Sequence, residues 1–205
     1  MRIALLLSAV ATLGACAFGQ TYNYSNAPVT LQGLSATGSI AVGVQDRRSY
    51  ILSGNKQEKF VGLMRGGFGN PFDVNTPSGG PLAIDIRDAL VASLRTKNAT
   101  VVPVVIHPSE TPERAKETLL ATKAHRLVLV RMDEWKSDTY MNMALLYAVS
   151  LEVMDDKGNV LATNALNGRD NLGTQLISQE ATATNAFASK MSLLFENEKI
   201  LAALR

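Results

Sequence analysis

The side chains able to do chemistry are few and scattered. His107 and His125 stand on either side of a stretch with helical spacing. A zinc site needs about three or four ligands at a spacing such as H-E-x-x-H or paired cysteines, and the sequence has neither pattern. Both histidines therefore read as solvent-facing. Asp133, Glu134 and Asp138 are the clustered carboxylates near an aromatic, Trp135. On a strand Asp133 and Trp135 share one face and Glu134 takes the other, so two acids meet one substrate only if a bulge intervenes. There is no G-x-S-x-G nucleophile elbow, and the glycines of Gly66-Gly67-Phe68-Gly69 fit neither a phosphate loop nor a dinucleotide fingerprint. No convergent polar constellation emerges, so neither enzyme activity nor any metal or cofactor is expected.

The remaining reactive group is Cys16, the single cysteine of the chain, which excludes an intrachain disulfide. It ends Leu13-Gly14-Ala15-Cys16, behind Arg2 and the apolar run Ile3 to Val10. A basic residue, an apolar core too short to span a bilayer and small residues before a cleavage point make up a secretion signal. The tetrapeptide resembles the lipobox of bacterial lipoproteins, whose cysteine takes a diacylglycerol on sulfur, is freed by cleavage and is acylated on its new amino group. The resemblance implies removal of residues 1–15, lipid attachment at Cys16 and anchoring without a transmembrane helix, each buried methylene contributing about 0.8 kcal/mol. Ala17 in place of an aspartate implies the periplasmic face of the outer membrane. The competing reading is ordinary cleavage after Ala17, since Ala15-Cys16-Ala17 also satisfies A-x-A, which gives a soluble periplasmic protein. A lone thiol has no partner in an oxidising compartment, and lipidation gives it one use.

Behind residue 15, 190 of the 205 residues remain, enough for one domain and a tether. Twenty Lys and Arg against eighteen Asp and Glu leave no basic field for nucleic acid. Residues 17–38, polar and without periodicity, read as a solvated tether that follows the lipidated cysteine, so that 16–38 is a leash and 39–205 a single α+β domain.

Within that domain Ser39 to Val44 alternates as a short strand, and Asp46 and Arg47 at its end should face water. Phe60 to Asp73 reads as a long glycine-rich loop; Arg65, Phe68, Asn70 and Phe72 on it, with Trp135, are the candidate partner contacts. Pro81 opens a helix with the stripe Leu82, Ile86, Leu90, Leu94. Thr100 to Ile106 is an apolar strand with both faces covered, although Pro103 argues for an edge. A second helix follows Ser109. Arg126 to Lys136 and Tyr140 to Asp155 form a long hairpin, whose second strand presents Met141, Met143, Leu145, Tyr147, Val149, Leu151 and Val153 to the core. Asp156-Lys157-Gly158-Asn159 turns into a further strand, and one helix from Gln179 to Leu204 closes the chain. The order β-α-β-α-β-β-β-α predicts a mixed sheet of about five strands with an antiparallel meander, packed by three helices.

That order, the lipobox, Val42-Gly43-Val44-Gln45-Asp46-Arg47 and Glu134-Trp135-Lys136-Ser137 resemble uncharacterised proteobacterial lipoproteins, distantly similar to the YajG type. The resemblance implies the fold of the TolB amino-terminal domain, shared with envelope lipoproteins that activate peptidoglycan synthases or build secretion pores. The expected function is thus an outer-membrane-anchored binding or scaffold module for an envelope protein complex. A small-ligand carrier or cell-wall enzyme and a self-assembling structural lipoprotein are the alternatives.

Overall fold

The computed structural model describes residues 19–35, 38–174 and 178–205. The signal, the lipobox and Cys16 lie outside the described residues. Among the described residues no helix is long and apolar enough to cross a membrane.

Strand β1 (Ser39–Asp46) is buried from Ile40 onward. Its alternation feeds two cores: Ile40, Val42 and Val44 enter the main one, and Ala41 enters a smaller one with Ile106, Leu119, Leu127 and Leu129. A Cβ at Gly43 would lie 2.8 Å from Ile106 Cγ1, so only glycine lets this layer close onto β1. Parallel neighbours flank the strand, β4 (Thr100–Val105) on one side and β5 (Arg126–Thr139) on the other. β4 is the edge that Pro103 demands, with its proline opposite Val42. It is not covered on both faces as expected: Val105 is half exposed.

From β5 the chain meanders through β6 (Met143–Asp155) and β7 (Val160–Asn171), paired antiparallel throughout. Met143, Leu145, Val149, Leu151 and Val153 are buried as the alternation requires, whereas Met141 lies beyond the strand and is exposed. The turn at Asp155 is closed by its carboxylate, which accepts from the backbone N–H groups of Lys157 and Asn159.

The expected long loop is instead a second hairpin, β2 (Phe60–Arg65) with β3 (Pro71–Asn75), which extends the expected mixed sheet to seven strands among the described residues. Glycines masked its alternation. Gly62 is needed because a Cβ there would fall 2.0 Å from Ser137 Oγ, where β2 pairs with the end of β5.

The α+β class is as expected, with five helices among the described residues where the pattern marked three. Helix α1 (Ser49–Leu52) is a single turn after β1; α2 (Leu82–Arg95) buries its predicted stripe; α3 (Pro112–Leu120) covers the smaller core. The terminal helix is two, α4 (Gln179–Phe195) and α5 (Glu198–Ala203), because the Asn197 side chain accepts from Lys199 N and restarts the chain.

The largest departure concerns the tether. Tyr22, Tyr24, Ala27, Val29, Leu31 and Leu34 are buried in the main core, and Tyr24 packs on Trp135 and Phe187 with ring centroids 6.2 and 5.1 Å away. The segment is a strap laid over the sheet between α2 and α4, pinned where Thr30 N donates to Ser192 Oγ. Its apolar residues lack a period because a strap without regular structure needs none. Tyr22 Oη, Tyr24 Oη, Trp135 Nε1, Ser137 Oγ and Thr139 Oγ1 are buried beneath it without a well-formed hydrogen bond. Burial accordingly pushes the Tyr22 hydroxyl above its ordinary pKa, against the opposing pull of the Thr139 and Ser137 hydroxyls.

Candidate contact site at the end of the sheet

One edge of β5 serves two short strands in succession. β1 pairs with Arg126 to Met132, β2 pairs with Ser137 to Thr139, and a bulge lies between Met132 and Glu134. Backbone groups in the gap between β1 and β2 need other partners. Arg47 N donates to Met132 O, and Arg48 Nη1 donates to Phe60 O at 2.7 Å and Trp135 O at 3.0 Å. The rest of the Arg48 fork meets Asp46, Nε to Oδ1 at 2.8 Å and Nη2 to Oδ2 at 2.6 Å. Both side chains are wholly buried, so the charged end of β1 does not face water as expected; Arg47 is only partly buried. Tyr50 joins the plug by donating to Glu134 Oε1 at 2.6 Å. This plug fixes the root of the β2–β3 hairpin against β5.

The bulge settles the arrangement of the acids. Asp133 is exposed, Glu134 is taken up by Tyr50, and Asp138 lies further along on β5, so the three carboxylates do not converge. His107 and His125 are exposed. Among the described residues no three His, Cys, Asp or Glu side chains form a group able to hold a metal.

Beyond the root, Arg65 forms a two-pronged bond with Asp138, Nε to Oδ1 and Nη2 to Oδ2 both at 2.8 Å. Those bonds hold the Asp138 carboxyl below its usual range, outweighing the opposite effect of its partial burial. Around the pair opens a polar cavity of about 510 Å³, lined also by Tyr140, Asn142, Ala144, Arg169 and Asn171. Arg169, on β7, makes no salt bridge among the described residues, and its charge adds to that of Arg65 in favouring the ionised Asp138 carboxylate across the cavity. The pairing of Met64 with Thr139 sets the Gly66–Asn70 turn beside the Tyr140–Asn142 turn. Phe68, Tyr140 and Met141 stand exposed there at 76, 53 and 76 %. A second open depression, about 600 Å³, lies elsewhere between α1 and the segment after β4, with Leu52, Lys56, Glu58, Lys59 and His107 in its lining.

Four of the five sequence candidates come together on the hairpin. Arg65 lines the cavity, Phe68 caps the turn, Asn70 is exposed and accepts from Gly66 N, and Phe72 is half-buried against the core. Trp135 is a correction. It is 0 % exposed, between Tyr24 and Phe187, and holds the strap rather than a partner. Its core location follows from the bulge, which turns Trp135 to the same face as Met132. Sequence reasoning missed Tyr140, Met141 and Arg169. The first two lie in a turn that alternation alone extends into strand, and Arg169 joins them only through the β6–β7 register, Leu146 opposite Arg169.

No family model matches the chain, and no curated protein matches it. Among solved structures, a Xanthomonas campestris protein of the DUF330 family aligns with 86 % of this chain and 90 % of its own, at a TM-score of 0.49 and 11 % identity. The PelC dodecamer subunit from Paraburkholderia phytofirmans aligns over 82 and 95 % at a TM-score of 0.42 and 16 % identity. Lipoprotein GNA1162 from Neisseria meningitidis aligns over 77 and 98 % at 0.33 and 9 %.

Proposed function

We propose that the protein is a lipid-anchored module of the bacterial envelope, held by Cys16 at the periplasmic face of the outer membrane, that binds a protein partner and does no catalysis. The observation that carries the binding reading is the cavity beneath the hairpin. Arg65 is locked by Asp138 on two paired strands, which leaves Arg169 as the available cation, with the amides of Asn142 and Asn171 beside it. Such a set of fixed donors suits a carboxylate side chain presented by another protein. The anchor rests on Leu13-Gly14-Ala15-Cys16 and on the absence of any other cysteine in the sequence.

The experiment is photocrosslinking from Asn171 in intact cells. A discrete adduct that disappears in Arg169→Glu, with fractionation unchanged, is the expected result. Adducts absent throughout, or indifferent to Arg169→Glu, would remove the cavity as a binding site.

A further inference from the structure

We propose that Phe68, Tyr140 and Met141 rest in the surface of the lipid bilayer that carries the anchor, so that the domain lies on the membrane with this end of its sheet down. The inference deepens the anchored reading of Cys16 and depends on it.

The length of free chain is what points to the membrane. Tyr22 N donates to Asn75 O at 3.0 Å and Asn75 N donates to Gln20 O at 3.1 Å, so the chain is fastened to the outer edge of β3 from Gln20 onward. Only Ala17, Phe18 and Gly19 separate that fastening from Cys16. Even fully extended, the steps from Cys16 to Thr21 reach no more than about 18 Å. β3 itself runs about 17 Å at roughly 3.3 Å per residue. A membrane holding the acylated cysteine therefore lies no further from the β3 edge than the hairpin is long.

Direction agrees with distance. The Thr21–Asn75 bridge is parallel, so at Thr21 and Gln20 the chain read backward points along β3 toward Pro71 and the turn that bears Phe68. The adjoining turn supplies Tyr140 and Met141. The other exposed large apolar side chains, Leu52, Val105, Val160, Leu161 and Leu193, are distributed over α1, β4, β7 and α4. Chemistry agrees as well. Aromatic side chains favour the headgroup level of a bilayer, and apolar groups on a neighbouring turn can enter the acyl boundary.

The test uses the full lipidated protein on vesicles of phosphatidylethanolamine and phosphatidylglycerol. Because Cys16 is acylated, Phe68→Cys, Met141→Cys, Leu52→Cys and Val160→Cys each offer one thiol for a nitroxide, and native Trp135 fluorescence certifies folding of each. Expected are labels at 68 and 141 shielded from an aqueous relaxing agent and reached by dissolved oxygen, with those at 52 and 160 fully aqueous. Vesicle-bound protein with all labels aqueous would overturn the membrane contact while leaving the anchor intact. Labels at 68 and 141 that become shielded only when envelope proteins are added would overturn it in favour of a protein occupant. Protein that does not sediment with vesicles at all would overturn both the contact and the anchor.

Discussion

Arg48 Nη2 lies 2.6 Å from Asp46 Oδ2 with neither side chain exposed to water, and the same guanidinium closes the backbone of two further strands. Removing one member of a buried pair strands the other, at a cost of about 3–5 kcal/mol. Arg48→Met is expected to lose that much in urea unfolding followed by Trp135 emission. Replacing both, Asp46→Leu with Arg48→Met, will not restore stability, because Phe60 O loses its Arg48 donor and Trp135 O is left with the Tyr50 hydroxyl at 3.2 Å alone. Full recovery in the double variant would contradict the plug.

Asp85, buried in the first turn of α2 and near Asp88, has its pKa raised from 3.8 to about 6, burial being the larger cause. The folded protein binds this proton more tightly than the unfolded chain does. Stability from the group is therefore fully present below about pH 3.8 and is lost as the pH rises through about 6. Asp85→Asn should stabilise the protein by about 1–2 kcal/mol at pH 8 and by almost nothing at pH 4. Equal effects at both pH values would disprove the assignment.

Gly62 admits no side chain, as its Cβ would meet Ser137 Oγ at 2.0 Å and Ser137 O at 2.7 Å. Gly62→Ala is expected to cost about 1–3 kcal/mol by forcing β2 from β5. Amide exchange should quicken across β2 and β3 before it does so in β1. A uniform change over the sheet would speak against local detachment.

The strap belongs to the fold. Tyr24→Ala removes a ring packed against both Trp135 and Phe187, with an expected loss of about 3–5 kcal/mol and a red shift of Trp135 emission. Substitutions at Ala17, ahead of the buried run, should leave the unfolding midpoint where it was. Comparable losses at both places would mean that the strap is not bound as a core element.

Cys16→Ser should release the protein from membranes without lowering its thermal midpoint. Cell fractionation and a melting curve of the released protein check the two halves separately. Retention in the membrane fraction would move the anchor to the surface of the domain.

Periodicity made the α+β class and the meander readable, since Met143 through Val153 and the stripe of α2 each repeat at the spacing of their element. It failed where burial had no period. The strap's Tyr22, Tyr24, Val29 and Leu31 are interspersed with polar residues, and the β2–β3 hairpin is built from glycines whose purpose appears only once Ser137 is placed beside Gly62. The site was half legible for the same reason. Arg65, Phe68, Asn70 and Phe72 are local in sequence, while Asp138, Tyr140 and Arg169 join them through strand register. Trp135 was misplaced because alternation carries no sign of the bulge after Met132.

The strap also bears on when the protein can fold. Asn23 N donates to Glu180 Oε1 and Thr30 N to Ser192 Oγ, contacts that span 157 and 162 residues of chain. In a polypeptide threaded through a membrane amino end first, Tyr22 and Tyr24 emerge early and their seat on α4 emerges almost last. The main core cannot close until nearly the whole chain has crossed, and contacts of such separation are slow to form. The packing that seats the strap on α4 thus makes closure of the main core wait for the carboxy-terminal helices.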